Sequence, residues 1–348
     1  MLQVLDAGFR PDDRVGNYRI ERELGPTGSG LLLLARHLVL PRRAILKVVH
    51  AAFAAVQPFV VQTLREACIL EAIAHPGVPV VYESGVLPER RPWFAFERIG
   101  GPTLEELLAP GALAPVEVAA LIRDLADILE HAHRRGVIHR GLRPDRIVIT
   151  SDRRYPLCVP DWSEAIAHDA TTHVPQATPA GSRSYVAPEL AHQGGLGTQE
   201  LVDDRVDVFA LGAIAYRALT GRPPFAANQD AQRPDAQRPD SEPYTPAHEV
   251  APHAPPELAA LIDTLLAFDR FDRPSASEVR ADVDWLFASL PLLQPRAAPV
   301  SDARPTLDAI PEEVPDQPRT RRRRWTPEVQ FVESTDVDIK VAADLVKE

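Results

Sequence analysis

Between Tyr18 and His50, short apolar runs alternate with turn signals. Tyr18-Arg19-Ile20, Leu31 to Ala35 and Ala44-Ile45-Leu46-Lys47-Val48-Val49 are separated by polar residues and by the cluster Gly25-Pro26-Thr27-Gly28-Ser29-Gly30. This pattern predicts a meander of strands with a flexible tip. From Phe59 to Ala74 the residues Val60, Leu64, Cys68 and Ala72 recur at helical spacing, so an amphipathic helix is predicted, ending near His75-Pro76-Gly77. Val78 to Glu83 and Trp93 to Glu97 return to strand character. After Gly100-Gly101-Pro102 helical spacing takes over, at Leu104 to Leu108, Pro115 to Arg134, Asp203 to Thr220, Pro256 to Phe268 and Ser275 to Phe287. The Asp203 to Thr220 segment is apolar on nearly every side and is expected to be buried. The fold class is α+β, with a small β-rich lobe carrying one main helix and a larger helical lobe.

Two segments fit neither lobe. Ala231-Gln232-Arg233-Pro234-Asp235 is repeated at once as Ala236 to Asp240, which reads as a solvated low-complexity loop. Beyond Leu292 the chain turns Pro-rich and charged, with a basic block at Arg321, Arg322, Arg323 and Arg324 and strand-like pieces at Val329 to Val332 and Val337 to Ala342. This composition predicts a disordered tail containing a segment able to fold on a partner.

A net charge of -11 argues against a nucleic-acid binder, which needs a basic face. The two cysteines, Cys68 and Cys158, have neither the spacing of a disulfide framework nor that of a zinc site, in keeping with a reducing compartment. Met1 to Asp6 lacks a basic stretch followed by an apolar one, and the apolar run Leu31 to Leu40 is interrupted by Arg36 and His37. No signal peptide or membrane span is expected, and the expected location is cytoplasmic. His131, His133, His168 and His173 form no metal-ligand pattern and are read as surface or packing residues.

The most informative stretch is Ile138-His139-Arg140-Gly141-Leu142-Arg143-Pro144-Asp145-Arg146-Ile147. It resembles the catalytic loop of protein kinases, His-Arg-Asp-Leu-Lys-Pro-x-Asn, in which the Asp is the base and the Asn a magnesium ligand. Further along stand Asp161-Trp162-Ser163, Gly181-Ser182-Arg183-Ser184-Tyr185-Val186-Ala187-Pro188-Glu189, Val206-Asp207-Val208-Phe209-Ala210-Leu211-Gly212 and Phe271-Asp272-Arg273-Pro274. In this order the motifs resemble a bacterial-type serine/threonine protein kinase domain over about residues 18 to 288, and more narrowly a pseudokinase member of that family.

The resemblance implies a two-lobed protein-kinase-like fold. Residues 1–17 would be an extension, 18–97 the N-lobe, 97–102 the hinge, 103–288 the C-lobe with a low-complexity loop at 227–246, and 289–348 the tail. Gly25, Gly28 and Gly30 would belong to the phosphate-covering loop, although Thr27 takes the middle glycine position and Gly28 is displaced by one. Lys47 would hold the α- and β-phosphates of ATP with Glu66 as its helix partner. Phe96 would be the gatekeeper, the backbone near Glu97 and Ile99 the adenine contact, and Ala44 and Leu32 the roof over the base. Asp161 would hold one magnesium ion at most. Glu189 would pair with Arg273, and Asp207 would brace the catalytic loop.

No catalytic residue is expected in that loop. Gly141 takes the place of the base, Arg143 that of the phosphate-contacting Lys, and Arg146 puts a cation where a metal ligand belongs. Asp145 sits where the family's side chain points away from the site. Three readings follow: a pseudokinase binding ATP weakly and serving as a scaffold or allosteric regulator, a weakly active serine/threonine kinase, or a fold whose cleft takes no nucleotide. Expected partners are a protein of unknown identity or an upstream kinase acting on Thr171, Thr172 or Thr178, whose phosphate Arg140 would bind. The tail would reach a partner through Arg321 to Arg324 or its strand-like end.

Overall fold

Period-two alternation builds a six-stranded sheet in the order β1-β2-β3-β4-β6-β5, every neighbouring pair antiparallel. Its strands are β1 (Arg14–Val15), β2 (Tyr18–Pro26), β3 (Gly30–His37), β4 (Arg43–Val49), β5 (Val81–Val86) and β6 (Pro92–Glu97). The computed structural model describes residues 8–151, 153–167, 184–191, 203–225 and 244–290. Thr171, Thr172, Thr178, His168, His173, both copies of the Ala-Gln-Arg-Pro-Asp repeat and Arg321 to Arg324 lie outside the described residues.

Because successive side chains of a strand point to opposite faces, Leu31, Leu33, Ala35, Ala44, Leu46 and Val48 share one face with Tyr18, Trp93 and Ala95. Leu32 and Ile45 turn to the other face and join Phe94, Phe96 and the apolar side of α1 (Gln57–Ile73). That second cluster runs without interruption into the helical lobe, so the two lobes share a core. The sheet also recruits part of the expected extension. Val15 is fully buried and β1 pairs with β2, so the boundary drawn at residue 18 cuts a hairpin. Strand β5 begins at Val81, later than expected, since the Val78 N–H turns back to the His75 carbonyl at 2.9 Å.

The helical lobe comprises α2 (Leu104–Leu108), α3 (Pro115–His133), α4 (Pro188–Ala191), α5 (Arg205–Thr220), α6 (Ala247–Val250), α7 (Pro256–Leu265) and α8 (Ala276–Ser289). Local chemistry starts two of them: Thr103–Glu106 and Ser275–Glu278 form reciprocal capping boxes at α2 and α8. Two small antiparallel ladders that periodicity did not announce complete the lobe. β7 (Val137–Ile138) pairs with β10 (Ile166–Ala167), and β8 (Val148–Ile149) with β9 (Leu157–Cys158). They bracket the catalytic-loop-like segment and the Asp161 turn. The end of the expected low-complexity loop is packed, with the Tyr244 ring 5.7 Å from that of Tyr216 and its hydroxyl donating to Asp263. Among the described residues no helix is long and apolar enough to cross a membrane.

Helix α5 is buried along nearly its whole length, including Asp207. That carboxylate accepts from the backbone N–H groups of His139 (2.8 Å) and Arg140 (2.7 Å) and from His133 Nε2 (2.9 Å). Arg140 is thereby held in the left-handed region at φ 63°. His133, read from sequence as an ordinary packing residue, is part of this brace. The expected Glu189–Arg273 pair also forms, bidentate at 2.7 and 3.0 Å, with the Arg273 side chain fully buried. Desolvation works against ionisation of Asp207, but hydrogen bonding and charge from His133, together with His139, hold its pKa below the ordinary carboxylate value.

Replacing Asp207 with Ala strands two backbone donors and is expected to cost about 3 kcal/mol in urea unfolding. A carboxylate depressed on folding contributes fully above its unfolded pKa of about 3.9 and loses the contribution as pH falls through its lower folded value. The unfolding free energy of Asp207→Asn should therefore fall less steeply below about pH 4 than that of the wild type, as unfolding measured across pH would show.

Candidate functional site

Lys47 lies in β4, and the alternation that sends Leu46 and Val48 outward turns Lys47 toward α1. On that helix Gln62, Glu66, Leu70 and Ile73 form one buried stripe, which places Glu66 opposite the strand. Lys47 Nζ and Glu66 Oε2 meet at 2.6 Å, both side chains 4% exposed. Desolvation pushes the Glu66 pKa up and the charge of Asp161 adds to it, against the pull of Lys47. One helical turn earlier, Gln62 Nε2 donates to the Ser163 carbonyl at 2.6 Å, tying α1 to the Asp161-Trp162-Ser163 turn. Trp162 is 1% exposed, donates Nε1 to the Val159 carbonyl at 2.9 Å and packs tilted against His139, the ring centres 4.5 Å apart. His139 is itself fully buried, a packing residue as expected.

The roof residues divide. Leu32 faces the cleft side, but Ala44 belongs to the outer cluster with Leu46 and Val48, which corrects its expected place over the base. Ile45, in register with Phe96, occupies the cleft side instead. The sequence reading missed this because the two neighbours differ by a single step of the pleat. At the hinge Phe96 is 7% exposed. Glu97 donates its N–H to the Val80 carbonyl at 2.8 Å and pairs its carboxylate with Arg153 at 2.5 Å, so its N–H is not free for a base. Ile99 lies half-buried just beyond β6.

The phosphate-covering loop is drawn tight by its own residues. The Gly30 N–H donates to Thr27 Oγ1 at 3.0 Å and the Thr27 N–H to the Gly30 carbonyl at 2.7 Å. A Cβ at Gly30 would lie 2.1 Å from the Val48 carbonyl oxygen, so only glycine fits there. Gly25 is at φ 146° with open space around it, while Gly28 lies in the turn between β2 and β3. The threonine at the middle glycine position thus occupies the Gly30 N–H.

The decisive geometry is around Arg146, which leaves a short 3-10 turn at Pro144–Arg146. Its Nε is 3.1 Å from Asp161 Oδ2, and its Nη1 is 2.8 Å from Glu164 Oε1. The Arg146 side chain is 11% exposed. Nη1 is within ion-pair distance of Glu164 but outside hydrogen-bonding direction, and makes no hydrogen bond among the described residues. Asp161 also accepts from the Ser163 N–H at 3.1 Å. Desolvation would raise the Asp161 pKa, but Lys47, Arg146 and the Ser163 hydrogen bonds outweigh it and keep the group well below the ordinary carboxylate range.

Gly141 is the third member of this set. A Cβ there would sit 2.8 Å from Arg146 Nη1 and 3.0 Å from the Glu164 carboxyl carbon. The space of the missing base is therefore taken by the Arg146–Glu164 pair. Arg143 turns to Asp145, Nε to Oδ1 at 2.9 Å, and Asp145 is half exposed. Arg140 Nε is buried without a hydrogen-bond partner among the described residues.

These residues do not fit a magnesium site. One family ligand position is a guanidinium, and the other, Asp161, already carries that guanidinium on its carboxylate. Among the described residues no His, Cys, Asp or Glu cluster suits a metal ion. Sequence reasoning missed Glu164, Gln62 and Ile45. The cation at 146 and the glycine at 141 leave a charge to be compensated, and that was the only signal for Glu164.

The protein kinase domain family model matches residues 18–286. The serine/threonine-protein kinase PknJ of Mycobacterium tuberculosis is 31% identical over 261 residues, covering 74% of this chain and 43% of that protein. PknB of Mycolicibacterium smegmatis is 30% identical over 278 residues, 78% of this chain and 43% of its own length. The chain thus spans less than half the length of these relatives. Among solved structures, the PknI kinase domain of M. tuberculosis superposes with a TM-score of 0.58 at 25% identity, covering 81% of this chain and 98% of that one.

Lys47→Met is expected to destabilise the protein by about 3 kcal/mol, because it leaves Glu66 buried without its countercharge. Adding Glu66→Gln should recover more than about 1 kcal/mol of that loss, a coupling read from a double-mutant cycle in denaturant.

Proposed function

Because the chain belongs to the protein kinase domain family, we propose that it is a pseudokinase, binding ATP weakly and with altered metal dependence and acting on a protein partner as a cytoplasmic signalling scaffold or allosteric regulator. The family generally uses ATP and magnesium. The observation that carries the proposal is the Arg146 guanidinium seated on Asp161, 3.1 Å away, where the family holds its metal. Phosphoryl transfer relies on charge neutralisation and on a residue that orients the acceptor hydroxyl. A fixed guanidinium supplies part of the first, and Gly141 supplies none of the second. Losing positioned general-base chemistry costs about 10²–10⁴-fold. A magnesium ion on Asp161, one at most, requires Arg146 to leave that carboxylate.

Retention of the buried Lys47–Glu66 pair at 2.6 Å supports nucleotide binding and favours a second reading, weak serine/threonine kinase activity. Positioning and electrostatics carry most of the catalysis in phosphoryl transfer, so a cleft with this pair retains some capacity for it.

Thermal unfolding with millimolar ATP tests the first reading. A rise of about 2–4 °C that survives EDTA is expected, and no rise in either buffer would sink nucleotide binding. Transfer of labelled phosphate from ATP that Lys47→Ala abolishes would select the weak-kinase reading. Gly141→Asp alone should not raise transfer, since its Cβ would run into Arg146 Nη1 at 2.8 Å. With Arg146→Asn added, transfer should rise at least about tenfold over Gly141→Asp alone.

A further inference from the structure

Glu164 follows directly on the Asp161-Trp162-Ser163 turn, and its carboxylate is the second anchor of Arg146, 2.8 Å from Nη1. The turn itself is fixed from two sides, by Gln62 on the Ser163 carbonyl at 2.6 Å and by the buried Trp162. Glu164 is thereby presented to the catalytic-loop-like segment from a rigid base. Gly141 permits the approach, because any side chain there would meet both partners, at 2.8 Å for Arg146 and 3.0 Å for Glu164.

The charges around the cleft explain what this second anchor does. Lys47, Arg146 and Arg140, which also feels the Glu164 charge, are positive, while Glu66, Asp161 and Glu164 are negative, so the set offers no net positive charge to an incoming polyphosphate. Glu66 belongs to Lys47, and Asp161 holds Arg146 through Nε. Glu164 is the carboxylate that competes with a phosphate for the remaining face of the guanidinium. The poor hydrogen-bond direction at Nη1 leaves a buried donor that an anion of better geometry would satisfy.

We propose that Glu164 is a positioning residue that holds the Arg146 guanidinium in the place of a metal ion and sets how weakly, and with how little need of metal, the cleft takes a nucleoside triphosphate. The proposal rests on the nucleotide-binding reading above. In it, a phosphate group displaces Glu164 from Nη1 while Asp161 keeps Nε. Gly141 and Glu164 then act as one unit, glycine giving the room and the carboxylate the position.

The test is calorimetric titration of the full chain with ATP, in EDTA and in magnesium, for wild type, Glu164→Gln, Glu164→Asp and Gly141→Ala. It is paired with hydrogen–deuterium exchange over residues 139–147 in nucleotide-free protein. Glu164→Gln is expected to tighten metal-free ATP binding about tenfold by removing a like charge near the phosphates. Glu164→Asp, which keeps the charge, should retain the wild-type ratio of affinities in the two buffers. Exchange over 139–147 should quicken about tenfold in Glu164→Gln and in Gly141→Ala, as the anchoring of Arg146 loosens. Metal-free binding by Glu164→Gln that is no tighter than wild type, where wild type binds, overturns the proposal, as does unchanged exchange in both variants. Faster exchange with no ATP binding by any variant keeps Glu164 as the positioning residue and overturns the nucleotide-binding reading alone.

Discussion

A single buried carboxylate, Asp207, fixes the segment from which Gly141 and Arg146 enter the cleft. It gathers two consecutive backbone N–H groups and His133, and sits on a helix that is itself buried almost throughout. Consecutive amides aimed at one acceptor leave the chain little choice of path, and Arg140 accordingly adopts a positive φ. Gly141 follows directly on the braced backbone, and Arg146 ends the 3-10 turn at Pro144–Arg146 a few residues on.

Within that frame a covalently tethered cation, the Arg146 guanidinium, lies on Asp161. A metal ion brings two charges and adapts its ligands to the nucleotide. A guanidinium brings one charge, a planar set of donors and a fixed tether, and when buried it needs carboxylates as countercharges. Asp161 and Glu164 supply them. Three residues, not one, meet at this point. Gly141 vacates space, Arg146 fills it and Glu164 neutralises it. The covering loop shows a related substitution, with the Thr27 hydroxyl taking the Gly30 N–H.

Much of the fold was legible along the chain because its determinants are local. Strand alternation, the helical stripe of α1 and the capping residues of α2 and α8 act over a few positions. The pairs Lys47–Glu66 and Glu189–Arg273 were legible through ordered motifs, and both form as expected. The β1 hairpin was not, since two residues of strand have no periodicity to detect. Neither was the side of the sheet on which Ala44 falls, because one step along a strand exchanges its faces and Ala44 and Ile45 are both apolar.

The amino-acid order thus settled the family, the two-lobed architecture and the absence of a base at Gly141, because each is a matter of which residue stands at which place in a series of motifs. What became of that absence was decided only in three dimensions. Arg146 and Glu164 belong to different loops, no spacing rule couples them, and an ion pair is a property of distance. The tertiary fold brings the two loops together across the small ladder of β8 and β9, and there the gap left by the base becomes the seat of an internal cation.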